Sequence, residues 1–382
     1  MKRLAWLLVL AWLVAACVPA APAEQPTGEL RIGVLATLSG TAADVVGRST
    51  VEGAQLAAKR ANDAGGVNVG GRKQRVVLVI EDDQDRAEAA IDAARKLITQ
   101  QSVVALVGPQ FSRNAIPVAG VAESSHIPMV SPASTRPETT AGKRYVFRAA
   151  FTDPLQGRAL ARFTRDELHA QSVAVLYDVA SAYNKGLADI YRDAFREAGG
   201  QVVAYESYTT DARTNLAAQL GRVQASAAQV LFLPNYADEV PAQVEQARQA
   251  GIHATLLGSD SWGDIAAAEM EKLEGAFYTG HWASDMASEQ AQAFVAAYRE
   301  AYGRLPTETS ALTYDALGLL FQGLSNQNTA SAEAIRNGLA SVESYTGVTG
   351  TMRFQGTGDP VRSIVMLQIH DGRATFYRLV NP

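Results

Sequence analysis

The chain has 382 residues, 47% hydrophobic and 19% charged, with a formal net charge of −5. That composition is globular, the length suggests two domains, and without a strongly basic stretch the clustered cations that nucleic acid demands are missing. One cysteine rules out an intramolecular disulfide or a cysteine-based metal site, and five scattered histidines with no pair at i, i+3 or i+4 leave no metal expected.

Met1-Lys2-Arg3 is a short basic start, followed by 13 apolar residues, Leu4 to Ala16. A run of that length is shorter than the roughly 20 residues of a spanning helix and fits the core of a secretory signal. Val14-Ala15-Ala16-Cys17 then looks like a bacterial lipobox, with the chain's single cysteine at the position that is diacylated. Two acyl chains are enough for a stable membrane anchor, so residues 1–17 read as a lipoprotein signal and the protein as extracytoplasmic and lipid-anchored. Residues 18–28, rich in Pro and Ala, read as a disordered tether, and the folded part is expected from Glu29.

Leu30–Ala36 is the first predicted strand and ends at the turn signal Thr37-Leu38-Ser39-Gly40. Val51–Ala64 has helical spacing and a glycine stop at Gly65-Gly66. Arg75–Ile80 is a continuous apolar run, the mark of a strand buried on both faces. The rhythm continues through a helix at Ala87–Gln100, a strand at Val103–Val107, a helix at Ile116–Glu123 and strands at Met129–Val130 and Tyr145–Arg148. Strand and helix in alternation predict a parallel sheet covered on both faces.

The pattern then restarts. Helices are predicted at Leu155–Leu168, Leu187–Ala198, Asn215–Gln224 and Glu239–Ala250, and strands at Ser172–Tyr177, Val202–Tyr205, Val230–Leu233 and Thr255–Leu257. The last third carries helices at Ser288–Tyr302, Ala311–Leu324 and Ala332–Ala340, with short strands at Gly350–Phe354, Ser363–Ile369 and Ala374–Leu379. It is too small for a third unit and is expected to complete the first two. The predicted fold class is α/β, two doubly wound parallel-sheet lobes joined by a multi-strand hinge. The first lobe takes residues 29–149 with 280–362 and the second 150–279 with 363–382. Several crossings between lobes make a hinge, and hinges suit closure around a ligand.

No nucleophile elbow GxSxG, P-loop GxxxxGK[ST], dinucleotide fingerprint or HExxH is present, so the reading is of a binding protein that is not an enzyme and needs no cofactor. Glu81-Asp82-Asp83 ends a strand and reads as a turn more readily than a Mg²⁺ site. The stretch most suited to a ligand is Ile127–Pro137, a short strand running into a loop dense with hydroxyls and stiffened by proline. Ser131, Ser134 and Thr135 with their free amides form a concavity suited to an anion. An ordinary capped turn is the other reading of the same residues.

Taken in order, Ile32-Gly33-Val34, Ser39-Gly40, Asn62–Val67, Val107-Gly108-Pro109, Ile127–Ala133, Phe147-Arg148, Gln156-Gly157, Tyr183 with Gly186-Leu187, Ala247–Gly251 and Tyr314-Asp315-Ala316 resemble the branched-chain amino-acid binding proteins of ABC transporters, of the type I periplasmic binding protein fold. The likeness runs from about Leu30 to Tyr377. It implies that Ser112 and Thr135 bind a ligand α-carboxylate beside Ser134, and that the Ala133 carbonyl accepts from the α-ammonium. It also implies that Asp260 pairs with that ammonium, that Tyr183 and Tyr236 reach across the cleft, and that Asp153 stands at the first crossover. The partners implied are an amino acid, branched-chain or otherwise aliphatic, and ABC permease subunits, with the protein itself a monomer. A protein for an amide, urea or aromatic acid, or a ligand-sensing domain, shares the frame. Thr41–Val46 lacks the aromatic residue that the family often has there, Arg136 is an unusual cation, and Trp262 and Trp282 either line the pocket or pack elsewhere.

Overall fold

The structure is a computed structural model that describes residues 28–381. The signal, the lipobox with Cys17 and nearly all of the expected tether lie outside those residues. Only Gly28 of the tether is described, and it opens the first strand.

The first sheet is built from β1 (Gly28–Ala36), β2 (Val67–Val69), β3 (Arg72–Asp82), β4 (Ala105–Val107), β5 (Met129–Ser131) and β6 (Val146–Arg148), in the order β2-β3-β1-β4-β5-β6. It is parallel apart from β2, which pairs antiparallel with β3 at one edge. α1 (Arg48–Asp63) covers one face, and α2 (Ala87–Thr99) and α3 (Ser112–Ser124) the other. The two-sided burial follows from strand alternation: Leu30, Ile32 and Val34 enter the core shared with Ala54 and Ala57 of α1, while Leu35 enters the core with Leu97 of α2 and Val118 of α3.

The second sheet contains β7 (Ser172–Asp178), β8 (Gln201–Tyr208), β9 (Val230–Leu233), β10 (Thr255–Gly258) and β11 (Phe277–Gly280). Between and before them run α4 (Asp153–Asp166), α5 (Ala182–Glu197), α6 (Ala217–Ala225) and α7 (Val240–Gln249). After α8 (Glu289–Tyr302), α9 (Glu308–Ser325) and α10 (Ala332–Ala340), a small antiparallel sheet forms from β12 (Ser344–Gly347), β13 (Gly350–Phe354) and β14 (Pro360–Val361). The helices α9 and α10 and this sheet pack on the first lobe: Leu317, Leu320, Leu339 and Met352 share its core. β15 (Ile364–His370) and β16 (Arg373–Val380) then join the second sheet, whose order is β16-β15-β11-β10-β9-β7-β8. Both lobes are therefore parallel through their centres with antiparallel strands at an edge.

The chain passes between the lobes three times, after β6, after β11 and after β14. Arg362, fully buried, ties these passages together. It donates to the carbonyl oxygens of Ala149 at 2.7 Å, His281 at 3.1 Å and Thr349 at 2.6 Å. Phe151 stacks on the His281 ring at 3.7 Å between centroids. Among the described residues, no helix is long and apolar enough to cross a membrane.

Several elements differ from the sequence reading. β11 is four residues with a polar Thr279 at its centre, too short for a periodic signal. α3 and α9 begin four and three residues before Ile116 and Ala311, where the apolar pattern starts, because the first turn of each is polar and faces the cleft region. The Glu81-Asp82-Asp83 carboxylates are used locally: Asp82 accepts from the amides of Leu38 and Gln84, and Asp83 from Thr37 Oγ1 and the Asp85 amide.

Candidate functional site

The carboxyl ends of both parallel sheets meet at one enclosed space, the position where open α/β sheets bind ligands. Ser112, Ala133 and Thr135 line it from the first lobe, and Tyr183, Tyr236 and Asp260 from the second. About 40 Å³ is open to the centre of a water-sized sphere. One water needs roughly 10–15 Å³ on that measure, so the space fits a small solute and excludes a peptide. At the Phe111, Tyr236 and Asp264 wall it adjoins a wider mouth of about 310 Å³.

On the first lobe, β4 ends at Gly108, whose φ of +93° favours glycine and where a Cβ would lie 2.3 Å from the Leu35 carbonyl oxygen. This tight exit brings the start of α3 to the cavity. α3 opens at Ser112 without a side-chain cap, leaving the first amides of the helix, which it cannot pair internally, at its positive end. Ser112 Oγ meets Ser134 Oγ at 2.9 Å, and Ser134 Oγ meets Thr139 Oγ1 at 2.7 Å. Arg148 braces the same loop from β6, donating to the Ser134 carbonyl at 2.8 Å and to Thr140 Oγ1 at 2.6 Å while paired with Asp359. Ser134 thus serves the loop and does not line the cavity.

On the second lobe, Asp260 follows β10 by two residues. Its Oδ1 accepts from Tyr183 at 2.6 Å and from Gln156 Nε2 at 2.7 Å, and the Gln156 amide also donates to Thr279. Burial pushes Asp260 and Asp264 up to about 6. Burial likewise lifts Asp153 to about 7, with the Asp260 charge adding to the rise. Asp153 is fully buried behind the wall, 3.7 Å from Arg136, with neither carboxylate oxygen hydrogen-bonded. Its amide donates to the Thr135 carbonyl, joining the crossover to the hydroxyl loop.

Contacts cross the cleft. Arg113, held by Asp85 at 2.7 and 2.5 Å, lies over the Tyr236 ring at 4.1 Å and the Phe111 ring at 4.3 Å. Thr309 donates to Asp264 at 2.5 Å. Arg136 bonds Glu138 and reaches α5, where a Cβ on Gly186 would collide with it. The lobes are closed on each other.

Trp262 and Trp282 both pack in cores, Trp262 donating to the Leu233 carbonyl and Trp282 against Phe294. Thr41, Ala42, Val45 and Val46 line the wider mouth. Sequence reasoning missed Gln110, Asp264, His281, Glu308 and Thr309, which also line the cavity. Glu308 and Thr309 carry a usable signal: Thr307 caps α9 by accepting from the Ser310 amide, so a polar first turn was readable. His281 stands one residue past the unrecognised β11 and had none. Glu308 Oε1 accepts from the His281 amide at 3.0 Å and lies 2.5 Å from the His281 Nδ1. Burial and the Asp260 charge hold Glu308 well above the usual carboxylate range, and burial and Arg362 hold His281 well below the usual imidazole range.

A profile described as periplasmic binding protein matches residues 29–374. The chain belongs to the periplasmic binding protein family. Among curated relatives of this periplasmic binding protein, Leu/Ile/Val-binding protein BraC3 of Rhizobium johnstonii is 28% identical over 87% of this chain and 89% of that protein. Leu/Ile/Val-binding protein homolog 3 of Brucella melitensis is 30% identical over 62% of this chain, and the match spans 63% of that relative. Among solved structures, the branched-chain amino acid transporter substrate binding protein LivJ from Streptococcus pneumoniae, in complex with isoleucine, superposes with a TM-score of 0.84 at 27% identity, covering 93% of this chain and all of that one.

Proposed function

We propose that this periplasmic binding protein is the extracytoplasmic solute-binding component of an ABC importer, and that its solute is a free α-amino acid of the branched-chain or other aliphatic class its relatives are named for. The observation that carries the reading is the division of chemistry across one cavity, with neutral hydroxyls and a helix amino end on the first lobe and the Asp260 carboxylate on the second. A zwitterion leaving water needs both charges met, or desolvation outweighs the gain. Ser112, Thr135 and the α3 amides meet the α-carboxylate without a buried cation, the Ala133 carbonyl accepts from the ammonium, and Asp260 with Asp153 behind it supplies the counter-charge. Tyr183 orients Asp260, and Tyr236 closes the wall. Ser134 positions Ser112. Only the closed state satisfies both ends, so the solute draws the two lobes, 29–149 with 280–362 and 150–279 with 363–382, together.

An aromatic or other acid without an ammonium is disfavoured by the same cavity, because Asp260, Asp264 and Glu308 line it and no Lys or Arg does. The permease is the receiving partner, the protein acts as a monomer without catalysis, and Cys17 carries the lipid anchor. Titration calorimetry with a panel of amino acids tests the reading. Micromolar binding, about −8 kcal/mol, is the expected result, and no binding tighter than about 1 mM by any amino acid contradicts it. Cys17→Ser is expected to move the protein from the membrane to the soluble fraction, and an unchanged distribution removes the anchor.

A further inference from the structure

Of the carboxylates that line the cavity, Asp260 alone is assigned to the α-ammonium, and the cavity has more. Asp264 and Glu308 line it together with Asp260. The cations around the cleft are already committed. Arg113 is paired with Asp85, Arg148 with Asp359, Arg136 with Glu138 and near Asp153, and Lys272 at the mouth lies beside Glu269 and Glu245. Arg362 donates to three carbonyls, and its charge is shared between Asp315 and Glu308.

Among the described residues that line the cavity, the buried polar atoms with no hydrogen-bond partner are Gln110 Oε1, Glu308 Oε2, His281 Nε2 and the Tyr236 hydroxyl oxygen; the first three can act as acceptors for a cation. Gln110 Nε2 donates to Thr50 Oγ1 at 3.0 Å and to Thr313 Oγ1 at 2.9 Å, which commits the amide nitrogen and leaves the oxygen. His281 Nδ1 lies 2.5 Å from Glu308 Oε1; once a cation ionises Glu308, the neutral ring holds its proton on Nδ1 and Nε2 accepts. Three acceptors match the three N–H donors of an ammonium. A purely hydrocarbon terminus would leave each unpaired. The apolar lining is limited to Phe111, Ala133 and Leu312 with the faces of Tyr183 and Tyr236, enough for a methylene stem.

We propose, resting on the α-amino-acid part of the reading above and departing from its hydrocarbon side chain, that the preferred solute is an α-amino acid whose aliphatic stem ends in a cation. That cation is received by Asp264, Glu308, Gln110 Oε1 and His281 Nε2. Asp264 also borders the wider mouth, so a long stem has room to pass along it.

The test is titration calorimetry of the full chain, freed of carried-over solute by unfolding and refolding, with matched pairs: lysine against norleucine and ornithine against norvaline, plus arginine, leucine and isoleucine. The expected result is that at least one dibasic amino acid binds tenfold or more tightly than its neutral match. In Asp264→Asn and Glu308→Gln, with folding checked by circular dichroism, that ratio falls toward one. Neutral amino acids binding as tightly as dibasic ones overturn the inference and leave the amino-acid reading standing. No binding by any amino acid overturns both. A dibasic preference that persists undiminished in both variants overturns the assignment to these carboxylates.

Discussion

Asp260 is half-buried at the cavity wall, raised to about 6 and hydrogen-bonded on one oxygen by Tyr183 and Gln156. Its replacement by asparagine keeps those two donors an acceptor while removing the charge. Asp260→Asn is expected to weaken amino-acid binding by about 100-fold, the worth of stranding a buried ammonium, with thermal unfolding nearly unchanged; calorimetric titration measures it, and an unaltered affinity removes Asp260 from the site. The groups around Asp260 (Tyr183, Gln156, Asp153, Asp264 and Glu308) offer hydrogen bonds but no cation, so the ligand's ammonium further stabilises the ionised form. Binding therefore releases a proton below pH 6, and affinity is expected to weaken by up to about tenfold per pH unit as pH falls below 6. Titrations in buffers of different ionisation enthalpy report that proton directly.

The carboxylates also set the ligand-free stability. Asp153, Asp260 and Asp264 have folded pKa values raised above an unfolded value near 3.8. These three carboxyls then hold more protons folded than unfolded between about pH 4 and pH 7, outweighing the one proton the buried His281 gives up on folding, so stability falls as pH rises through that window. A melting series is expected to show the ligand-free protein losing several degrees from pH 5 to pH 7, with saturating ligand reducing the loss. A melting temperature that rises over that range contradicts it.

Short elements, more than long ones, aim these side chains. Gly258 ends β10, and a Cβ there would lie 2.1 Å from the ring of the buried Trp262, which packs beneath the turn that presents Asp260. Gly258→Ala is expected to cost about 1–3 kcal/mol in urea unfolding, the usual range for overpacking a core, and to weaken ligand binding through the displaced turn. An equally stable variant with full affinity separates Trp262 from the site. The same turn marks the limit of sequence reading. Long periodic helices and apolar runs such as Arg75–Ile80 were legible because their pattern is repeated along the chain. The Ile127–Pro137 loop was legible because its prolines and hydroxyls act locally. β11 was too short to repeat anything, and His281 and Glu308 come together from elements 27 residues apart. Gln110 had only its place after Gly108-Pro109, and its partners Thr50 and Thr313 are distant in sequence. Local chemistry was readable, whereas the lining assembled across the cleft was set by tertiary packing.

The two lobes move only as far as their three passages permit, and Arg362, at the start of the third, grips the other two through the Ala149 and His281 carbonyls and the β12–β13 turn through Thr349. Burial lowers its pKa to about 10, still charged at neutral pH. Arg362→Met leaves those carbonyls without their donor, at about 1 kcal/mol or more each, so a loss of roughly 3 kcal/mol in unfolding free energy is expected. The open and closed populations of the ligand-free protein should change as well. Small-angle scattering with and without ligand follows that change, and a variant as stable as the parent shows the three bonds to be unimportant to the hinge. With the α3 amino end on one lobe and Asp260 on the other, each charged end of the solute is held by a different lobe. The most direct test titrates the tightest-binding amino acid against two relatives of it, one lacking the α-carboxylate and one lacking the α-ammonium. Both are predicted to bind about 100-fold more weakly or worse, and either one binding as tightly as the parent amino acid would contradict the two-ended grip.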